Sequence, residues 1–142
     1  YGIGNSEQEL KVLENVSTLK TIISQIREVS PEESIGYSRR FRVTQKMKVA
    51  TIPIGYADGI RRAWGNEKGF VTINNQKATI LGSICMDMMM VDVTNISCKT
   101  GDEVIVFGKN PNVTEMANVI GTIPYEILTG ISQRVKRIFF KN

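Results

Sequence analysis

Ser34-Ile35-Gly36-Tyr37-Ser38-Arg39-Arg40-Phe41, continued through Met47 to Ile52 into Pro53-Ile54-Gly55-Tyr56-Ala57-Asp58-Gly59, carries two tyrosines at the ends of one apolar, β-branched segment. Each follows a glycine directly. Read alone, residues 37–56 make a strand with a tyrosine at either end. Glycine lets the backbone turn sharply or approach another surface closely, so each hydroxyl is aimed by the main chain. A single tyrosine of this kind is more often a packing group with a hydrogen-bonded hydroxyl than a chemical one.

Around this stretch the pattern is that of a β protein. Met47, Val49 and Thr51 alternate with Lys48, Ala50, Ile52 and Ile54, which predicts a strand over 46–54 buried on much of both faces, with Pro53 marking its end. Ala57-Asp58-Gly59 is a turn, and an irregular basic loop through Trp64-Gly65-Asn66 follows. Phe70 to Ile73, Asn74-Asn75 and Gln76 to Leu81 form a hairpin. Ile84 to Thr94 reads as the most apolar strand, its methionines 86, 88 and 90 being core. Thr100-Gly101-Asp102 turns into a short strand, Glu103 to Phe107.

Asn112 or Thr114 caps a short helix ending at Gly121, and Pro124 opens another over 124–129. Val135 to Phe140 reads as a final strand. Upstream, residues 7–29 fit two templates: Ile22, Ile23, Ile26 and Val29 have helical spacing in a β-branched context, and helix is the reading taken, with a turn at Pro31-Glu32-Glu33. The expected fold is mainly β, a Greek-key barrel, closed or nearly closed, of about six strands with two short helices near the C-terminus.

With 142 residues, 42% of them hydrophobic, the chain has room for one core, and residues 1–142 are read as a single domain. The opening Tyr1-Gly2-Ile3-Gly4-Asn5 reads as the tail of a preceding element, so the chain is expected to be a fragment of a longer one. No apolar run approaches the roughly 20 residues of a spanning helix. Cys85 and Cys98 read as reduced thiols of a cytoplasmic protein.

The net charge of +4 is clumped at Arg39, Arg40 and Arg42, at Arg61 and Arg62, and at Arg134, Lys136 and Arg137. Such clumps attract anions. No aromatic RNA-binding signature accompanies them, so nucleic acid is not expected. There is no histidine, which excludes histidine triads, dyads, bases and metal ligands within the chain, and no metal site is expected. Proton transfer falls to Tyr, Lys, Cys or a carboxylate.

Six pieces in order, Tyr1-Gly2-Ile3, Gly36-Tyr37, Ile52 to Gly59, Ile84-Cys85-Met86-Asp87, Pro124-Tyr125-Glu126 and Arg134-Val135-Lys136-Arg137, make the whole chain resemble the C-terminal β-domain of the bacterial alanine racemases. These are pyridoxal-phosphate enzymes of fold type III. The resemblance implies a preceding β/α barrel that holds the cofactor on a lysine, and a head-to-tail homodimer in which the β-domain of one subunit completes the site of the other.

Carried onto this sequence, it implies that Tyr37 is the catalytic base opposite that lysine. Tyr56 stands at the mouth of the site, Met86 offers its backbone N–H to the substrate carboxylate, and Asp87 and Arg62 line the approach channel. Racemisation removes an α-proton from one face and returns one to the other, so two bases on opposite sides are needed. A free phenol, with a value near 10, is a weak base at neutral pH unless positive charge or hydrogen bonding favours its anion. The implied activity is interconversion of L- and D-alanine for peptidoglycan, absent from the isolated domain because it holds neither cofactor nor lysine.

Two positions depart from the family pattern: Ser83, where many members carry arginine, and Gln133, where some carry tyrosine. They leave room for another small amino acid. A serine-type racemase and the β-domain of a basic amino-acid decarboxylase remain as enzyme alternatives, the spacing of the tyrosines speaking against the second. A β-barrel module binding an anionic partner is the non-enzyme alternative.

Overall fold

Residues 19–29, read as helix, form two strands in the computed structural model, which describes residues 2–4, 6–39 and 41–140. β1 (Leu19–Ile22) lies antiparallel to β9 (Glu103–Phe107), and β2 (Gln25–Val29) lies antiparallel to β5 (Met47–Ile52). The helical spacing is real but is overruled: β-branched side chains are stiff at χ1 and suit a pleated surface, and two long-range ladders are available to them. Ile23 is completely buried between the two strands.

Ile23 and Ser24 link the two ends of the sheet. Ile23 N–H donates to Asp102 O at 3.0 Å and Gly101 N–H to Ile23 O at 2.9 Å, while Ser24 N–H donates to Thr51 O at 2.9 Å. One bent stretch therefore pairs with one edge through its first half and with the other edge through its second. With β6 (Phe70–Ile73), β7 (Gln76–Leu81) and β8 (Met89–Asp92), the strand order is β1-β9-β6-β7-β8-β5-β2, a curled sheet of seven. Strands β6, β7 and β8 are a meander, and β5, connected to β6 by the long segment 53–69, lies beside β8, which is the Greek-key arrangement. Asn74 and Asn75, with φ of 48° and 61°, make the expected hairpin turn.

A separate ribbon, β3 (Ser34–Ile35) with β4 (Phe41–Arg42), carries Tyr37 at its tip. A small cluster of Val29, Ile35, Val43, Val49 and Leu81 seats it on the sheet, while Ala50 and Ile52 of β5 join the main core with Ile73, Ile80, Met89 and Val91. β5 is thus buried on both faces, as its sequence indicates. The helices are α1 (Glu7–Val12), α2 (Val113–Ile120) and α3 (Pro124–Gly130); Asn112 caps α2 and Pro124 opens α3.

Three expected strands are altered. Residues 37–56 are not one strand, because a single 3-10 turn at Tyr37–Arg39 and a left-handed Arg39 (φ 51°) break the chain before β4. The strand expected over 84–94 is only Met89–Asp92. Gly82, with φ +61°, turns the chain out of the ladder after Leu81, and Cys85 N–H closes a tight turn on Met88 O at 2.9 Å. Met86 and Met88 of the expected stripe are consequently exposed, Met90 is half-buried against the small cluster, and the fully buried methionine is Met89, on the opposite parity.

Val135 to Phe140 is irregular. Residues 19–29 already occupy the outer sides of β9 and β5, and residues 135–140 pair with neither β1 nor β2, the two end strands of the sheet. Arg137 instead ties this segment to itself, donating to Ile131 O at 2.9 Å, Ser132 O at 3.2 Å and Val135 O at 3.0 Å.

Closure at Ile23 and the irregular C-terminus have opposite mutational signatures. Ile23→Ala should cost about 2–5 kcal/mol in denaturant unfolding, the usual range for deleting a buried isoleucine. Phe139→Ser, at a position 90% exposed, should stay within about 0.5 kcal/mol; a loss comparable to that of Ile23→Ala would mean that residues 135–140 are built into the sheet after all.

Candidate functional site

Three loops meet along the segment Gly82–Met88. The first is the ribbon tip: the ribbon passes so near that a Cβ on Gly82 would stand 2.6 Å from Ile35 O. The second is the turn after β5. Tyr56 N–H donates to Cys85 O at 3.0 Å and Ala57 N–H to Met86 O at 2.9 Å. A Cβ on Gly55 would lie 2.4 Å from both Cys85 O and Met86 O, closer than any side chain allows. The third loop is 84–88 itself. Backbone lies on backbone at these contacts, which is why glycine stands at 55 and 82.

The five residues singled out by resemblance all stand on these loops or beside them. Tyr37 is 70% exposed, Tyr56 42% and Met86 54%, and neither tyrosine hydroxyl has a partner among the described residues. Met86 N–H is also without an acceptor among the described residues. Arg62 sits in a 3-10 turn, Arg62–Trp64, anchored by buried Trp64, whose indole N–H donates to Met116 O on α2 at 3.1 Å. Arg62 makes no ion pair among the described residues. Burial pushes the Cys85 thiol up, against the opposing pull of the Arg62 charge and of the Tyr37 backbone N–H. A thiol so placed stays protonated and is a poor nucleophile at neutral pH.

Asp87 is not a free channel carboxylate. Arg134 reaches it with one terminal nitrogen at 2.5 Å and reaches Asp58 with Nε at 2.7 Å. Asp58 accepts the Gly55 N–H on its other oxygen at 2.9 Å. Burial pushes the Asp58 carboxyl up, but the Arg134 hydrogen bond and charge and the Gly55 N–H outweigh it and hold the group below its ordinary value. Sequence reasoning gave Arg134 no role, because its partners lie 47 and 76 residues away. Its sequence signals were membership of the basic run 134–137 and of the last of the six pieces that carry the resemblance.

Of the other clumped cations, two are absorbed by the fold, while Arg39 and Arg42 make no ion pair among the described residues. Arg61 pairs with Glu126 of α3 at 2.7 Å, and Arg137 is spent on carbonyls. Arg40 and Tyr1, named in the sequence reading, lie outside the described residues. Of the two departures, Ser83 is buried beneath the ribbon and Gln133 is exposed.

The rim thus offers the Tyr37 and Tyr56 hydroxyls, the Met86 N–H and the guanidiniums of Arg39 and Arg62, none of them paired among the described residues, to whatever lies opposite. It contains no lysine in residues 34–39, 55–62, 82–88 or 131–135, so an aldehyde cofactor could not be attached from these loops. Hydrogen-bond donors facing outward do suit a cofactor-bound amino acid presented from the other side.

Fold and rim together define a β domain that presents polar groups on an exposed edge and does not enclose them. A family profile described as alanine racemase, C-terminal domain, matches residues 16–139. An alanine racemase of Helicobacter pylori (strain Shi470) is 43% identical over 132 residues, covering 90% of this chain and 35% of the relative. One of Clostridium perfringens (strain SM101 / Type A) is also 43% identical, covering 100% of this chain and 39% of the relative.

Among solved structures, alanine racemase of Clostridium difficile 630 superposes with a TM-score of 0.90 at 39% identity, over 100% of this chain and 38% of that one. Alanine racemase of Bartonella henselae with covalently bound pyridoxal phosphate gives 0.83 at 35% identity, over 87% of this chain and 34% of that one. The chain belongs to the alanine racemase C-terminal domain family. It spans little more than a third of the length of the relatives it matches.

The Asp58 carboxylate gives a pH signature with a definite sign. An aspartate in an unfolded chain titrates near about 3.9. Because the folded group is held lower, its contribution to stability is complete above that value and disappears as pH falls through the folded one. Unfolding midpoints followed from about pH 6 down to about pH 2 should show Asp58→Asn clearly less stable than the natural protein at the upper end, with the gap closing below about pH 4. A gap independent of pH would remove the Asp58 carboxylate from the account.

Proposed function

We propose that this chain is the C-terminal domain of a pyridoxal-phosphate-dependent alanine racemase, working in the cytoplasm as a homodimer and supplying D-alanine for peptidoglycan. The observation that carries the reading is the convergence of the Tyr37, Tyr56 and Met86 loops on one exposed rim, in a chain of the alanine racemase C-terminal domain family.

In this reading the rim meets the barrel domain of the partner subunit. The Tyr37 hydroxyl takes or returns the α-proton on one face of the substrate, opposite the barrel's lysine. Its exposure and its lack of a hydrogen-bond partner are what a group awaiting a partner from another subunit requires. The free Met86 N–H binds the substrate carboxylate, an orientation that fixes the α-carbon relative to Tyr37. Tyr56, held by its own backbone against Cys85, borders the mouth, and Arg62 supplies positive charge to the approach of an anionic carboxylate.

Pyridoxal phosphate, bound by the barrel domain, supplies the electron sink that makes the α-proton removable. This domain supplies position, a proton-transfer group and exclusion of water. The small, buried Ser83 keeps the larger side chain of many relatives out of the rim, which leaves Arg62 and Arg39 as its unpaired cations among the described residues.

The decisive measurement is racemisation of L- and D-alanine by the full-length enzyme carrying Tyr37→Phe. Loss of a positioned acid–base group should lower kcat by about 10²–10⁴-fold in at least one direction. Rates near those of the natural enzyme in both directions would sink the assignment of Tyr37.

A further inference from the structure

The expected C-terminal strand does not form, and in its place Arg134 connects two carboxylates on two different loops. Resting on the racemase reading, we propose that Arg134 is a positioning residue: its guanidinium, forked between Asp58 and Asp87, fixes the 85–88 turn and thereby the Met86 N–H that meets the substrate carboxylate.

The contacts form a closed circuit. Asp87 accepts from Arg134, Arg134 donates through a second nitrogen to Asp58, and Asp58 accepts from Gly55 N–H on its remaining oxygen. From Gly55 the chain returns to its starting loop through Tyr56 N–H on Cys85 O and Ala57 N–H on Met86 O. Without Arg134 the 85–88 turn loses the side-chain tie on Asp87, the residue directly after Met86, and is left with two main-chain bonds to residues 56 and 57 and its own closure, Cys85 N–H on Met88 O. Those three bonds then open more often.

The guanidinium itself arrives from a fixed place. Ser132 N–H donates to Asp58 O at 2.9 Å, Val135 N–H to Ser132 O at 3.1 Å, and Arg137 binds three carbonyls of the same segment. The two carboxylates hold Arg134 charged, well above its already high ordinary value, with Asp58 the larger influence and Asp87 the next. Arginine is required because a planar fork serves two acceptors at once, whereas the point charge of lysine serves one in a fixed geometry.

The test separates positioning from simple loss of fold. A looser Met86 N–H weakens substrate binding in ground and transition states alike, which raises KM and spares kcat. Arg134→Gln in the full-length enzyme should raise KM for alanine about tenfold in both directions, with kcat within about twofold. Partial unfolding has the opposite signature, a fall in kcat per total enzyme at constant KM, and that result would overturn the proposal. Arg134→Lys should recover part of the KM.

Asp87→Asn, half exposed in the native chain and still leaving the Arg134–Asp58 pair, should raise KM in the same direction. In the Arg134→Gln background it should add nothing. Additive effects would mean that Asp87 acts on the approaching substrate independently, and would overturn the circuit. This pair of outcomes also covers the case in which Arg134→Gln fails to fold, since an unchanged KM in Asp87→Asn alone overturns the proposal.

A readout independent of catalysis is amide hydrogen exchange in the full chain. Residues Cys85, Tyr56 and Ala57 should exchange about tenfold faster in the Arg134 variant, or in Asp87→Asn, while Ala50 and Val91 in the core stay as they were. Unchanged exchange at those three amides would overturn the proposal even if the racemase reading fails. Failure of that reading shows separately, in the kcat of Tyr37→Phe.

Discussion

The site depends on a contact in which two carbonyl oxygens occupy space that a side chain would need. Cys85 O and Met86 O press on the Cα of Gly55, and the two following amides bond to those same oxygens. Moving the loops apart by the width of a methyl group would lengthen both bonds beyond useful range. The positions of Tyr56, Met86 and Asp58 are therefore coupled through main chain, which has few soft degrees of freedom, and not through side chains that could adopt other rotamers.

The curl of the sheet sets the scaffold for the rim. Residues 19–29 connect β9 to β5 through one bent stretch, so the five strands from β9 to β5 in the sheet each have two neighbours. The ribbon, the 53–69 crossing, the 82–88 turn and the C-terminal segment lie outside that ladder, and they gather at the same place. Loops on a rigid scaffold are where binding groups are commonly carried. Here the scaffold supplies rigidity, and the glycine contacts supply registration between the loops.

The electrostatics of the rim divides its cations by duty. Arg61 holds α3 through Glu126, Arg137 caps its own segment, and Arg134 ties two loops together. An exposed surface pair contributes little, about 0–1 kcal/mol, but Asp58 is mostly buried, and leaving it with a single hydrogen bond puts the loss nearer about 1–3 kcal/mol. Arg61, Arg134 and Arg137 thus serve architecture, whereas Arg39, Arg42 and Arg62 make no ion pair among the described residues.

Much was settled by local pattern alone: the Asn74-Asn75 hairpin, the caps at Asn112 and Pro124, the strand at 47–52 and its end at Pro53 all follow from residue chemistry within a few positions. The ordered Gly-Tyr, Gly55-Tyr56 and Cys85-Met86-Asp87 pieces indicated the family, and the absence of histidine narrowed the chemistry to tyrosine, lysine, cysteine and carboxylates. Three things were beyond the reach of the sequence. Whether 19–29 became helix or strand depended on partners some 20 and 85 residues away, whether 84–88 and 135–140 joined the sheet depended on contacts made by the folded chain, and the fork of Arg134 depended on carboxylates brought to it by those outcomes. Local preference is worth tenths of a kcal/mol per residue, whereas a ladder or a buried ion pair is decided by contacts between distant segments, and only the folded chain creates those.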